Sequence, residues 1–478
     1  MKRIAIIGGG MSGLAAAFAI ENARQSGATL EYVLYESSSR LGGVLVTERV
    51  DGCQLEAGAD SFLTEKPWAT DLCRELGLED QLIGSNDRDR KTYIVVKGKL
   101  VELPDGLMFM VPTKIVPTLL SPLFSTRTKV RMAQEWFHPP RKADHDESVA
   151  SMVERHYGVE MVDRLADPLL SGVYGGEASH LSVRAVLARF AEMEAKYGSL
   201  GRAMLAARKK MPTTRNGARP LFTSLRNGMQ QMVDAVVSRL TPSALQLNRS
   251  ATSIQREQQG FTVAAGQASD RFDAVILATP AHMSADLIRI ADKHLAAELA
   301  AIEYTSSITI NLGYDENVRS SLPPGFGFLV PRSEGRRILA ATFVHNKFPH
   351  RAPADRALLR CFIGGTRNEG LLHLPDEDIL RIVRQDLQQI IGVRAEPLFA
   401  TVDRWKRAMA QYGVGHLERL QRIDSLLAEI PGLALAGNGY RGIGVPDCIR
   451  SGRDAATRML ATLDLAEATV PALTDVRS

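Results

Sequence analysis

The chain opens on an apolar run, a glycine cluster and a helical pattern in quick succession. Lys2 to Ile7 reads as a short buried strand, Gly8-Gly9-Gly10 as a tight turn, and Leu14 to Ile20 as the apolar part of the following helix. A second apolar strand, Leu30 to Tyr35, ends at Glu36, and Val44 to Thr47 and Gly52 to Ser61 read as a strand and a strand with its loop. Pro67 starts a helix to Leu76, and Tyr93 to Val96 pairs with Leu100 to Leu103 around Lys97-Gly98-Lys99. Helical spacing dominates from Arg127 to Lys196, with Ser148 and Ser182 as N-caps, and Met211 to Pro220 reads as a basic, turn-rich loop. A helix at Gly228 to Leu240 precedes short strands at Ala244 to Leu247, Ala251 to Arg256, Gly260 to Ala264 and Phe272 to Thr279. Alternation from Tyr304 to Arg360 predicts a mostly antiparallel sheet. Beyond it come a helix at Asp376 to Ile391, strands at Leu398 to Arg404 and Leu433 to Ala436, and a helix from about Asp447 to Leu463.

The first turn carries chemistry. Gly8, Gly10 and Gly13 have the spacing G-x-G-x-x-G between a strand and a helix, which permits a sharp turn and close backbone approach to a pyrophosphate. Unpaired N–H groups at the new helix N-terminus would face the phosphates. Glu36 stands where an acid accepts hydrogen bonds from a ribose, and an acid there disfavours a 2′-phosphate. Just beyond it, Arg40-Leu41-Gly42-Gly43 resembles the R-x-G-G extension of FAD-binding proteins related to monoamine oxidase. A second glycine turn, with Gly437, Gly439, Gly442 and Gly444, runs into the last helix and suits the flavin end of FAD.

Composition narrows the class. A chain of 478 residues with 45% hydrophobic and 23% charged residues is globular and long enough for two or three domains. The net charge of +4 without a long basic run argues against nucleic acid. Cys53, Cys73, Cys361 and Cys448 lack disulfide or zinc-ligand spacing, which predicts free thiols in a reducing, cytoplasmic setting and no metal. Gly106 to Thr126 is apolar, but Lys114 and three prolines interrupt it, so it does not read as a span. With Arg127, Lys129 and Arg131 following, two readings stay open: a segment lying on a membrane surface, or a cover over a hydrophobic pocket.

Taken together, Ile6 to Gly13, Gly58 to Phe62, Asp167 to Gly175, Arg404-Trp405, Gln411 to His416 and Gly442 to Cys448 resemble the oxygen-dependent, FAD-containing porphyrinogen oxidases of haem synthesis. The likeness is to the Gram-positive type acting on coproporphyrinogen III, and it covers residues 1 to 465. It implies an α/β fold with a discontinuous Rossmann-like FAD-binding domain (1–84, 215–284, 402–466), a mixed-sheet substrate domain (85–104, 285–401) and a helical insertion (105–214). It also implies FAD contacts from Gly8, Gly9, Gly10, Met11, Ser12, Gly13, Glu36, Ser37, Arg40, Gly42 and Gly43. The set continues with Ala57, Gly58, Ala59, Asp60, Ala251, Trp405, Ile443, Gly444 and Val445.

For the substrate, the resemblance implies Lys66 facing propionates and Gly172-Val173-Tyr174 facing the macrocycle. The expected reaction removes six hydrogens from the porphyrinogen in three flavin cycles, by hydride transfer from a methylene bridge and loss of pyrrole N–H protons. Oxygen is the final acceptor and H2O2 the by-product. Neither His345 nor His416 is assigned as a general base. Protoporphyrinogen IX is the alternative substrate, and a flavin amine oxidase or a non-catalytic binding protein on the same fold are the alternative functions. Hand-off to other haem-pathway enzymes is an implied partnership, and the oligomeric state is left open.

Overall fold

The computed structural model describes residues 1–108, 110–142, 145–210, 219–366 and 368–465. At its base lies a five-stranded sheet in the order Leu245–Gln246, Leu30–Tyr35, Lys2–Ile7, Ala274–Leu277, Leu433–Leu435. Every pairing in it is parallel. Parallel strands are covered on both faces, which explains why Ile4 to Ile7 and Ala274 to Leu277 are uninterrupted buried apolar runs. The chain leaves Lys2–Ile7 toward one edge and returns on its other side at Ala274–Leu277, so the strand ends open a crevice at this switch point. Helices Met11–Gln25 and Val445–Thr462 pack together on one face, where a Cβ on Gly452 would lie 2.0 Å from the Ser12 carbonyl oxygen.

A second sheet of seven strands runs Phe399–Ala410, Tyr304–Asp315, Arg356–Gly364, Ala340–Phe343, Gly327–Leu329, Thr92–Val96, Lys99–Glu102. It is antiparallel except where Gly327–Leu329 meets Thr92–Val96. One face carries Ile308, Ile310, Leu359, Cys361 and Ile363 and packs under Ile379, Val383 and Leu387 of helix Asp376–Ile391. Alternation then places Ser307, Thr309, Asn311, Arg360, Phe362, Thr342, Asp403 and Trp405 on the opposite face. A helical unit fills much of residues 115–210 and closes on Met132, Met152, Val153, Tyr157, Leu165 and Phe190.

Most expected elements are present, and their differences have local causes. Val44 to Val46 is not a strand; the strand begins at Thr47, because Leu45 N–H closes a turn onto Gly42 and Val44 is pressed against Gly58. The helix after Ser182 breaks at Leu187 (φ −128°), giving Val183–Val186 and Ala188–Tyr197. Helix Gln230–Val237 is shorter than expected, and Leu245–Gln246 is the paired part of its strand. Strand Phe399–Ala410 continues past Trp405, because a register shift between Thr305 and Ser307, with Arg407 at φ 45°, absorbs two extra residues. Both serine caps are made, Ser148 accepting from Ser151 N–H and Ser182 from Ala185 N–H. The basic loop lies at 211–218 outside the described residues.

Within the helical unit, His156 is wholly buried between Glu135 (3.1 Å) and Glu194 (3.0 Å). Burial works to lower the His156 pKa, but the two carboxylates raise it above its ordinary value. Burial works to raise both carboxyls, yet hydrogen bonds led by the one to His156 hold them low. The histidine's stabilisation is complete below its ordinary 6.5 and is lost as pH rises through the higher folded value. That of the acids is complete above 4.5 and is lost as pH falls through their lower folded values. Denaturant midpoints should therefore decline on alkalinisation from pH 6.5. His156→Gln should cost about 3 kcal/mol near pH 6, as expected for breaking a buried pair, and flatten that decline; an unchanged slope would rule the triad out as its source.

Candidate functional site

Four backbone segments meet at the crevice. Gly8 stands at φ +108° with its Cβ position 2.7 Å from the Ala278 carbonyl oxygen, and a Cβ on Gly13 would be 1.9 Å from that of Gly8. Gly42 N–H donates to the Gly9 carbonyl at 2.8 Å, and the Cβ position of Gly43 lies 3.2 Å from Gly10 Cα. The Arg40 to Gly43 loop thus lies on the first glycine turn. The Val44 carbonyl in turn leaves no room for a Cβ at Gly58, 1.8 Å away, and so draws Ala57 to Asp60 alongside. Trp405 Nε1 donates to the Ala57 carbonyl at 2.9 Å and ties the track to the seven-stranded sheet.

The track fits FAD at three points. Nothing lies within 4 Å of the Cβ position of Gly10, and helix Met11–Gln25 begins there with no side-chain cap, leaving its first N–H groups for a pyrophosphate. Met11, Ser12 and Gly13 form that buried first turn. Glu36 is oriented for a ribose: its Oε2 accepts from Gly9 N–H at 2.8 Å, and its Oε1 from Ser38 N–H at 2.8 Å and Ser37 Oγ at 3.2 Å. Arg40 is exposed and donates to the Gly43 carbonyl at 2.5 Å. Ala251, half-buried, opens strand Ala251–Arg256. At the far end Ile443, Gly444 and Val445 lead into the last helix, where Asp447 accepts from Gly444 N–H at 3.2 Å.

The expected substrate residues fall in two places. Gly172, Val173 and Tyr174 end helix Asp167–Tyr174, with Val173 56% exposed and the Cβ position of Gly172 3.9 Å from Leu329 of the seven-stranded sheet. Burial pushes the Tyr174 hydroxyl up to about 12, and its carbonyl accepts from Gln411 Nε2 at 2.5 Å. Lys66 instead pairs with Asp447 at 2.5 Å, so its cation is already engaged at the start of the last helix. Both histidines are buried and each is tied to the backbone through one ring nitrogen. His345, buried and depressed to about 4, has Nδ1 3.1 Å from Leu358 N, while buried His416 contacts the Tyr440 carbonyl through Nε2 at 2.9 Å.

Two arrangements were not assigned from the sequence. Tyr412 stacks on His416 (centroids 4.2 Å), donates to the Asn438 carbonyl at 2.7 Å and accepts from Gly442 N–H at 2.8 Å, bracing the second glycine turn. Behind Ala57 to Asp60 lies a buried charged block of Glu56, Asp60, Lys347, Arg351 and Arg360. Asp60, expected to contact the cofactor, turns its carboxylate into this block, 3.0 Å from Lys347. Burial works to raise the Asp60 pKa, but Lys347, Arg360 and Arg351 outweigh it and hold it far below the ordinary range. Burial pushes Glu56 up to about 7 against the pull of Arg351. A signal existed: Arg360 sits alone in the apolar run Leu358 to Ile363, a position too costly for an unpaired cation.

Because the Gly58 contact is backbone on backbone, Gly58→Ala should leave the purified protein with less than about a tenth of its FAD, at a cost of ~3 kcal/mol. The ratio of flavin to protein absorbance tests this, and full flavin content would show that the track does not pass Gly58.

The model of the flavin containing amine oxidoreductase family matches residues 11–460. The coproporphyrinogen III oxidase of Bacillus subtilis (strain 168) is 32% identical, covering 97% of this chain and 98% of the relative, and that of Staphylococcus aureus is 28% identical, covering 97% and 100%. A solved structure from Exiguobacterium sp. 255-15, assigned as a protoporphyrinogen oxidase, superposes with a TM-score of 0.86 at 31% identity over 97% of this chain and 99% of the other. The glycine track and these full-length likenesses agree: the chain belongs to the flavin containing amine oxidoreductase family and is an FAD-dependent oxidoreductase.

Proposed function

We propose that this chain oxidises a porphyrinogen to a porphyrin, coproporphyrinogen III being the preferred substrate and oxygen the acceptor. The observation that carries the reading is the end-to-end likeness to coproporphyrinogen III oxidases, with no large segment left over for a different substrate domain. Bound FAD supplies the capacity to accept a hydride and pass electrons on, two at a time. The chain's own part is to hold and dry a broad, flat ring. Val173 and the Gly172 turn of helix Asp167–Tyr174 offer it an apolar rim, and Leu329 and Phe362, on either side of strand Ala340–Phe343, lie on the sheet face that also carries Trp405. Water exclusion, rather than a titrating base, is the contribution assigned to these residues. Protoporphyrinogen IX stands as the second substrate. An amine oxidase is less favoured because strand Tyr304–Asp315 lacks the lysine that many such enzymes carry there.

We also infer that the exposed apolar residues of helix Ile115–Leu120 rest on an anionic membrane surface. Val116 and Leu120 are 65% and 80% exposed, and the next helix, Thr126–Glu135, brings Arg127, Lys129 and Arg131. No described helix is long and apolar enough to cross a membrane. Leu107 is buried and Phe109 lies outside the described residues, so Val116 and Leu120 are the positions to change.

Aerobic incubation of the yellow protein with coproporphyrinogen III and protoporphyrinogen IX in parallel should give porphyrin fluorescence and H2O2, faster with the former; turnover of an amine and of neither porphyrinogen would overturn the reading. Lys66→Ala should lower porphyrinogen kcat/KM about tenfold, the value of one charged hydrogen bond, with FAD retained; unchanged kinetics would remove Lys66 from the substrate site. Vesicles with anionic headgroups should sediment the intact chain, and a Val116→Glu, Leu120→Glu double variant should stay in the supernatant. Equal sedimentation of the two would refute the membrane contact.

A further inference from the structure

The charged block behind Ala57 to Asp60 is larger than the anchoring of one loop requires. Arg360 Nη2 donates to the Gly58 carbonyl, and Arg351 Nη2 donates to the Asp60 carbonyl at 2.8 Å and to Ser224 Oγ at 2.6 Å. Trp405 already holds the Ala57 carbonyl, so three carbonyls of this short loop are each taken by a side chain. Lys347 holds the Asp60 carboxylate at 3.0 Å and Ser61 Oγ at 3.2 Å, and Arg360 lies 3.6 Å from the same carboxylate. Lys347, Arg351 and Arg360 are all buried. Three basic side chains thus pair with two acids, Asp60 and Glu56; burial pushes the Glu56 carboxyl up to about 7 and works to lower Lys347 and Arg360, against which Asp60 acts. Asp403, also near Arg360, carries a carboxyl that burial raises.

Such a block is a poor stabiliser. Buried ion clusters can often be replaced by apolar packing without loss of stability, and here Arg360 Nε is buried with no partner, as is Asn311 Oδ1 on the paired strand. An arrangement that leaves a donor and an acceptor unsatisfied and cations in excess calls for something that needs the charge. The loop it grips is the one that Gly58 and Val44 place along the flavin track.

We propose that Lys347, Arg351 and Arg360 are positioning residues that hold the Ala57 to Asp60 loop against the flavin and keep a net positive charge behind it, raising the cofactor's affinity for electrons. This rests on the FAD reading of the track, not on which substrate is oxidised. The side chains fix the loop by its carbonyls, and the excess charge favours the electron-rich form of the ring. A unit charge roughly 10 Å from the ring, at an effective dielectric of about 20, changes such an equilibrium by about tenfold.

Sulfite binding to the oxidised flavin of the purified holoprotein, followed by the loss of yellow absorbance, reads this charge without any turnover. Lys347→Met and Arg360→Gln should each weaken sulfite affinity about tenfold and lower the flavin midpoint potential, whereas Arg360→Lys should restore affinity to near the wild-type value. Sulfite affinity and potential unchanged in variants that retain FAD would overturn the proposal and leave the block a structural clamp. Should Arg360→Gln fail to fold, Lys347→Met decides, because it spares the Gly58 and Asp60 carbonyl contacts. Protein that takes up no FAD at all would sink the cofactor reading itself, an outcome seen in the absorbance before any titration.

Discussion

Close contact of backbone with backbone along one track is the constraint on which the rest of this structure depends. The Gly8 carbonyl lies where a side chain on Gly13 would begin, that of Ser12 where one on Gly452 would begin, and that of Val44 where one on Gly58 would begin. The first closes a single turn, the second joins the first and last helices across most of the chain, and the third joins neighbouring loops; an added methyl at any of them costs on the order of 1–3 kcal/mol through displacement. Their combined effect is to bring two helix starts, an acid and a loop to one crevice. A dinucleotide needs that combination, because its phosphates, ribose and ring are spread along an extended molecule.

The two sheets serve this track in different ways. The parallel sheet is buried on both faces and contributes only strand ends, so its residues are interchangeable apolar ones and its chemistry lies in turns. The antiparallel sheet spends one face on helix Asp376–Ile391 and has the other to offer, which is how Trp405, Arg360 and Asn311 come to lie beside a cofactor loop.

Buried charge recurs at both ends of the molecule with different outcomes. In the helical unit His156 is balanced between Glu135 and Glu194, which joins three helices. Behind Ala57 to Asp60 the balance is uneven, with cations in excess and a donor of Arg360 unsatisfied. The pairing of Lys66 with Asp447 lies between these cases, since it is part-exposed and joins the loop after Asp60 to the start of the last helix.

Local rules make much of this legible in the sequence. Strand, glycine turn and helix at Lys2 to Ile20, the caps Ser148 and Ser182, and helix Asp376–Ile391 follow from spacing and capping within a few residues. The breaks at Val44 and Leu187 were hidden because each is set by a neighbour distant in sequence or by the turn of the chain itself. The partners of Lys66, Asp60 and Arg360 were hidden for a stronger reason: Asp447 and Lys347 are hundreds of residues away, and no periodicity encodes which charge meets which. The sequence by itself determined the electron carrier, because phosphate and ribose recognition depends on contiguous turns whose conformation glycine and a single acid dictate. Only the tertiary structure decided where the charges go, because a buried ion is placed by whichever opposite charge the fold brings within reach, and that is a property of packing rather than of any segment.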